Sequence, residues 1–139
     1  MDTKFSVAVH VLILVSESPN PISSDQMAES VGTNASYIRK ILALLKKAEI
    51  VEGHRGISGY SLTVAPEQLT LLQVYQAVTE EPKLHLLNIH QNPNDRCIVG
   101  HHIKPLLTGI FADIEEGFTR SLAAKTLADC IVDIRKRIS

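Results

Sequence analysis

Residues 33–63 read TNASYIRKILALLKKAEIVEGHRGISGYSLT, and they carry the clearest structural signal in the chain. Within them, apolar residues follow the i, i+3, i+4, i+7 spacing of one buried helical stripe: Ile38, Ile41, Leu42 and Leu45. Thr33 or Asn34 can cap this helix at its start. Two β-like runs, 50–52 and 60–63, then flank a glycine-rich segment that supplies the positive φ angles of a tight hairpin. The stretch therefore predicts a helix followed by a small β-hairpin, or wing.

Two further helices are predicted ahead of this stretch. Residues 3–16 are apolar on nearly all sides, which indicates a helix covered by several neighbours, and the nearby prolines end it. The run Ser23-Ser24-Asp25-Gln26 is a capping-box pattern that opens a short helix ending at Gly32. The order helix, short helix, glycine turn, longer helix, hairpin is that of a winged helix-turn-helix.

Behind the hairpin, a second capping-box pattern at residues 70–73 opens a fourth helix and closes a first module over 1–80. Residues 81–102 lack sustained periodicity, so we expect a linker or sensor loop there. From 103 to 139 we expect a helical dimerisation arm, because an apolar helix on its own needs a partner. Its predicted interface residues are Leu106, Leu107, Ile110, Phe111, Ile114 and Phe118.

The composition agrees with a small, mostly α protein. Of the 139 residues, 45% are hydrophobic and 21% charged, which is the balance of an ordinary folded domain. Aromatic residues make up only 4%, so aliphatic side chains must fill the core and a mostly α fold with a small β-wing is favoured. The longest apolar run, residues 7–15, is too short for a membrane span, and two cysteines are too few for a disulfide framework. We therefore expect a cytoplasmic protein without membrane contact.

Positive charge is concentrated where a winged helix-turn-helix reads DNA. The whole chain carries a net charge of −1, yet residues 33–60 hold five basic residues against two acidic ones. The first turn of a recognition helix lies closest to base edges, and an arginine at a hairpin tip suits phosphate or a narrow minor groove. The candidate DNA-binding residues are Ser23, Thr33, Asn34, Ser36, Tyr37, Arg39, Lys40, His54, Arg55, Gly56 and Tyr60.

The same pattern leaves one alternative to DNA binding and argues against catalysis. A polar helical face can simply be solvated, so a dimeric interaction scaffold that does not read DNA is the alternative hypothesis. An enzyme is not expected, because the sequence has no glycine-rich phosphate loop, no Gly-x-Ser-x-Gly elbow and no evident pair of catalytic carboxylates.

The sequence also resembles a known family. Residues 37–51, YIRKILALLKKAEIV, followed by Arg55-Gly56 and Gly59-Tyr60, look like the Rrf2 family of bacterial winged-helix transcription regulators, and the likeness covers residues 1–80. The resemblance implies a homodimer built on the long helix, whose two heads bind an inverted-repeat DNA operator, usually as a repressor. The wing departs from the family's common Arg-Gly-Pro followed by glycines. Arg39 stands where some members have an acidic or neutral residue, so their operator sequences do not carry over.

The expected sensor region holds few metal ligands. Members of the family that bind an iron–sulfur cluster use three closely spaced cysteines ahead of the long helix, whereas this chain has only Cys97 there. We therefore expect neither a cluster nor another cofactor. A mixed zinc site would use Cys97, His101 and His102 as ligands, with His90 or Asp95 as a further ligand. Adjacent histidines diverge by about 100° on a helix, so no metal site is expected.

Cys97 is also a candidate redox sensor. A thiol near a helix start and near Arg96 can have a lowered pKa and oxidise selectively. The alternative is an inert loop thiol, with the signal an unknown small molecule. Cys130 is expected to be a small buried hydrophobe in the dimer helix.

Overall fold

The computed structural model describes residues 2–54, 59–81 and 84–139. This part of the chain is mostly helical and contains one two-stranded antiparallel sheet, as the composition and patterning predict. In chain order the elements are α1 (Lys4–Glu17), α2 (Ser24–Val31), α3 (Ala35–Lys47), β1 (Val51–Gly53), β2 (Tyr60–Leu62), a short 3₁₀ helix (Pro66–Gln68), α4 (Leu71–Thr79), α5 (Ile98–Ala123) and α6 (Leu127–Ile138).

Reciprocal side-chain caps start three of the helices. At α2 the Ser23 hydroxyl accepts the Gln26 N–H at 3.2 Å, and the Gln26 side-chain oxygen accepts the Ser23 N–H at 2.9 Å. These bonds satisfy N–H groups that have no partner inside the helix, which fixes where the helix begins. The same pairing joins Thr70 to Gln73 at α4, so both predicted capping boxes are confirmed, and it also joins Thr126 to Asp129 at α6.

Helices α1 to α4 and the hairpin form one packed unit, which we call the head. Helix α1 lies at its centre. It contacts α2, α3, α4 and α6, which explains why its sequence is apolar on nearly every side. The core around it consists of aliphatic side chains that are almost completely buried, including Leu12, Met27, Ile38, Ile41, Leu42, Leu45, Val74 and Leu127.

The predicted hairpin is confirmed at its base. Strands β1 and β2 pair in antiparallel register, with Val51 opposite Leu62 and Gly53 opposite Tyr60. Gly59 has φ +148°, and a Cβ there would lie 2.3 Å from the Cβ of Pro21, so the close approach of the wing to the α1–α2 loop requires glycine. The wing tip, residues 55–58, lies outside the described residues.

Helix α5 begins at Ile98, five residues earlier than predicted, so the last part of the expected linker is helical. Pro105, which interrupts the sequence pattern, is accommodated within this 26-residue helix. At the start of the helix, a Cβ on Gly100 would lie 2.2 Å from the carbonyl oxygen of Asn94. Glycine thus lets the preceding loop fold closely over the first turn, a tertiary contact that helical periodicity does not reveal.

Helix α6 packs on the head. The sequence pattern instead predicts that all of residues 103–139 belong to one dimerisation arm. Leu127 is completely buried, and its N–H donates to the carbonyl oxygen of Leu69 at 2.8 Å. The Arg135 guanidinium makes two hydrogen bonds, of 2.8 and 2.9 Å, to the carboxylate of Glu17 at the end of α1. Leu127 and Ile131 of α6 are therefore covered within the chain, whereas α5 is the described helix that presents a long exposed apolar face. Among the described helices, none is long and apolar enough to span a membrane.

Candidate nucleic-acid interface

The turn between α2 and α3 presents the first turn of α3 to solvent. Gly32 adopts φ +83° and ends α2 through its N–H bond to the carbonyl oxygen of Ala28. Asn34 then caps α3, since its Oδ1 accepts the Tyr37 N–H at 2.8 Å, which decides between the two predicted caps. Thr33, Asn34 and Ser36 are exposed, as a helix that enters a DNA groove requires.

Helix α3 has one buried and one exposed face. The predicted stripe from Ile38 to Leu45 faces the core, while Arg39, Lys40 and Lys46 are exposed. Tyr37 is half-buried and packs against the core, so its ring anchors the helix as well as bordering the exposed face. The amphipathic pattern therefore fixes which side of α3 is available to a ligand.

Arg39 joins this face to the start of α2. Its Nη1 donates a 3.4 Å hydrogen bond to the hydroxyl of Ser24. Ser24 was not among the predicted site residues, whereas its neighbour Ser23 was. In the structure the Ser23 hydroxyl is occupied in the capping box, whereas the Ser24 hydroxyl accepts from Arg39. The signal in the sequence that pointed to Ser24 was the pair of serines at the helix start. Only one of them can cap the helix, which leaves the other hydroxyl available to another partner.

The positive charge of this face is not cancelled by neighbouring acids. Across residues 2–54, 59–81 and 84–139, Arg39, Lys40 and Lys46 form no ion pair, while Lys47 lies 3.4 Å from the carboxylate of Glu80. Arg39, which is bonded to Ser24 at the start of α2, and Lys40 lie toward the N-terminal half of α3, where exposed cations attract phosphate, whereas Lys46 lies in the last turn of the helix.

The predicted wing residues have different environments. Tyr60 is half-buried and packs on the core, and its ring contacts Gly53, so it supports the base of the wing. The Nε2 atom of His54 is buried and, among the described residues, has no hydrogen-bond partner. Arg55 and Gly56, the predicted wing contacts, lie in the segment outside the described residues.

The exposed face of α5 carries four of the six predicted interface residues. These are Leu106, Ile110, Ile114 and Phe118, which recur every four residues and are 41–56% exposed. Leu107 and Phe111 are half-buried on another side of the helix. Ile98 and Val99 are 79% and 65% exposed. They extend the apolar surface into the first part of α5, which the sequence pattern predicts to be linker (residues 81–102).

An aromatic contact chain connects α5 to the head. The Tyr75 ring lies edge-on to Phe5 of α1 at 5.4 Å between centroids and to Phe118 of α5 at 6.1 Å. Edge-to-face packing of this kind is favourable beyond the burial of the rings. The exposed apolar face of α5 is thus attached to α1 and α4.

The two cysteines have contrasting environments. Cys97 is exposed at the N-cap of α5, where the backbone N–H groups of Gly100 and Val99 in the first turn lower the pKa of its thiol. The helix start is therefore the cause, and Arg96 is not among the groups that shift this pKa. Cys130 lies on α6, where burial raises the pKa of its thiol. From the sequence, Cys130 is expected in the dimerisation helix. In the structure it lies instead on α6, which packs on the head.

The histidines next to Cys97 do not form a ligand cluster with it. The rings of His101 and His102 pack edge to face, with centroids 4.9 Å apart. Within the described part of the chain, no three His, Cys, Asp or Glu side chains are grouped closely enough to hold a metal ion.

Comparison with known proteins agrees with this arrangement. The sequence profile described as Rrf2, iron-dependent transcriptional regulator, matches residues 1–133. YwnA of Bacillus subtilis, named as an HTH-type transcriptional regulator, is 36% identical over 129 residues, which cover 93% of this chain and 95% of YwnA.

Solved structures share the fold. A crystal structure described as that of a DNA-binding protein superimposes with a TM-score of 0.73 at 34% identity, covering 92% of this chain and 98% of the other. CymR, described as the global cysteine regulator of B. subtilis, has a TM-score of 0.71 at 16% identity, with 95% of each chain covered. The profile match spans nearly the whole sequence, and the chain belongs to the Rrf2 family of transcriptional regulators.

Proposed function

We propose that this transcriptional regulator acts in the cytoplasm as a homodimeric repressor that binds an inverted-repeat operator in double-stranded DNA. The observation that carries the proposal is the exposed first turn of α3, followed by Arg39, which is bonded to Ser24 at the start of α2, and by Lys40; neither cation forms an ion pair with another described residue. A helix N-terminus bordered by cations is suited to enter a major groove between two phosphate backbones.

Each residue of this face has a role that follows from its position. Asn34 uses its Oδ1 as the helix cap, which leaves its amide N–H groups to donate to a base or phosphate. Ser36 and Arg39 can reach base edges, and an arginine there favours guanine, whose O6 and N7 it can bind together. Lys40, farther along α3, binds phosphate.

Two copies are needed for an inverted repeat, and the exposed apolar face of α5 supports a symmetric pairing. Ile110 and Ile114 are 44% and 51% exposed, so the isolated chain leaves this stripe in water. A two-fold axis through paired α5 helices places the two α3 helices on half-sites about 34 Å apart, or a multiple of that spacing, along one face of the duplex.

DNA binding is tested by fluorescence anisotropy, with the duplex from upstream of the protein's own gene at two salt concentrations. Lys40→Ala should weaken binding and reduce the slope of log K against log salt by about one unit, because one phosphate contact is lost. Lys104→Ala, which removes an exposed lysine on α5, is the matched control and should leave the slope unchanged. Salt-independent binding, or equal losses in both variants, would favour the interaction scaffold.

The dimer is tested by light scattering after size-exclusion chromatography. Ile114→Glu places a charge in the exposed face of α5 and should convert the protein to a monomer. Val132→Glu is the control, since Val132 is equally exposed, at 51%, but lies on α6. A dimer that survives Ile114→Glu would place the interface elsewhere.

The signal is proposed to act through oxidation of Cys97, whose exposure and lowered pKa favour the reactive thiolate. Peroxide or diamide should weaken operator binding by the wild type and leave Cys97→Ser unaffected. Equal weakening of both proteins would remove Cys97 from the mechanism and leave a small-molecule signal as the alternative.

The family description mentions iron, and the cysteines of this chain do not fit an iron–sulfur cluster. Cys97 lies at the start of α5 and Cys130 on α6, which follows the other end of α5, and the sequence has only these two cysteines. We infer that the protein works without a resident cluster. Anaerobic reconstitution with iron and sulfide should leave neither bound iron nor a visible absorbance band after desalting, and a retained cluster would contradict this.

A further inference from the structure

A cavity of about 590 Å³ lies between the extended segment 84–91, hereafter the strap, and one side of α5. This volume is within the range that small-molecule sites occupy in proteins. Its apolar lining consists of Leu84, Leu87, Ile89, Phe111 and Ala112. The cavity is separate from the α3 face and from Cys97, so neither DNA binding nor the thiol accounts for it.

The wall of the cavity is held in place by a carboxylate. Glu115 of α5, whose side chain is only 14% exposed, accepts the backbone N–H groups of Leu86 and of Leu87, the latter at 3.1 Å. Leu84 at the start of the strap is buried. The strap forms no helix or strand of its own, and the contacts with Glu115 hold it against α5. The cavity is the space that remains between the strap and this helix.

The titratable groups of the lining are already engaged by the protein. Glu115 is bonded to the strap, and the Nδ1 atom of His85 lies 3.9 Å from the same carboxylate oxygen. The other ring nitrogen of His85, Nε2, is 2.8 Å from Oδ1 of Asn88. An anionic ligand would face the Glu115 carboxylate, and a cationic ligand would compete with the hydrogen bonds that this carboxylate already accepts, so burying either charge here would be costly.

Neutral hydrogen-bonding groups remain available at the cavity. In the described residues, the amide nitrogen of Asn88 and the side chain of Gln91 make no hydrogen bond. The Thr108 hydroxyl donates to the carbonyl oxygen of Lys104 at 2.7 Å, which leaves its oxygen free to accept. These groups can bind a carbonyl and an amide or hydroxyl, while the leucines and Phe111 contact a ring or branched chain.

We propose that this cavity is a binding site for a small uncharged organic molecule with an apolar body and a carbonyl or hydroxyl group. The dimer does not compete for it. Ile110 and Ile114 lie about 130° around α5 from the side that carries Thr108, Phe111 and Ala112, so the paired helices leave the cavity open.

The test uses three probes of the same shape on the full-length protein: benzamide, which is neutral, benzamidine, which is a cation, and benzoate, which is an anion. Methyl NMR should show saturable shifts at Leu84, Leu87 and Ile89 with benzamide, half-complete on the order of a few millimolar, as expected for so small a ligand. Benzamidine and benzoate should bind several-fold more weakly. The measurement needs no DNA, so its outcome is separate from that of the DNA-binding proposal.

Variants locate the binding. Ala112→Leu fills the cavity and should abolish the shifts, whereas Ala123→Leu, at an exposed alanine outside the lining of the same helix, should preserve them. Thr108→Val keeps the shape of the side chain and removes its hydroxyl, so it should weaken benzamide binding several-fold. This second variant keeps the proposal testable if Ala112→Leu does not fold. The proposal is overturned if benzamide gives no saturable shift, if the charged probes bind equally well, or if both lining variants bind as the wild type does.

Discussion

Replacing Leu127 by alanine should destabilise the whole head, because α6 is part of its core. The Leu127 side chain is 0% exposed and packs in the cluster around α1. Removing three buried carbons at about 0.8 kcal/mol each costs about 2.4 kcal/mol in transfer free energy, and the cavity left behind adds to this. We expect a loss of about 3 kcal/mol in the free energy of unfolding, measured by urea titration with far-UV circular dichroism at fixed protein concentration.

Ile138→Ala is the matched control, since Ile138 is also a large apolar residue of α6 but is 79% exposed. It should change the unfolding free energy by less than about 0.5 kcal/mol. Protein concentration is held constant because the stability of the proposed dimer would depend on it. A Leu127→Ala loss below about 0.5 kcal/mol would refute the placement of α6 in the core. So would a loss that disappears when both proteins are titrated again at a higher concentration, since α6 would then belong to a contact between two chains.

Three further predictions concern single side chains. Iodoacetamide should label Cys97 faster than Cys130 at neutral pH, because the pKa of Cys97 is lowered and that of Cys130 raised; equal rates by mass spectrometry would contradict this. The hydrogen bond from Arg135 lowers the pKa of Glu17, so the stability it contributes is present above about pH 4.5 and is lost as the pH falls through the folded-state value. The stability difference between wild type and Glu17→Gln should thus be larger at pH 7 than at pH 3, and a constant difference would exclude the pair. Asn34→Ala should cost about 1 kcal/mol in thermal or urea unfolding by removing the α3 cap, whereas no change would mean that the cap is replaced by solvent.

Local patterns predicted the head well because each has a direct structural cause. The i, i+3, i+4 stripe of α3 is the buried face, and the capping boxes at Ser23 and Thr70 begin helices where expected. These signals depend on neighbouring residues alone. The hairpin base followed equally from its glycines and β-like runs.

What the sequence left undetermined depends on contacts between distant residues. The stripe of α6 fits either a partner chain or the head, and only the packing of Leu127 against the core distinguishes them. The early start of α5 depends on the approach of Asn94 to Gly100. Ser24 was missed because its role requires Arg39, fifteen residues away, and the cavity beneath the strap requires Glu115 to hold a segment of chain remote in sequence.

The most direct test of the central claim is a hydroxyl-radical footprint of the wild-type protein on the duplex from upstream of its own gene. Two α3 helices related by a two-fold axis should protect two half-sites on one face of the duplex, with centres about 34 Å or a multiple of that apart. A single protected patch shorter than one helical turn, or no protection at any protein concentration, would contradict a dimer that reads an inverted repeat through α3.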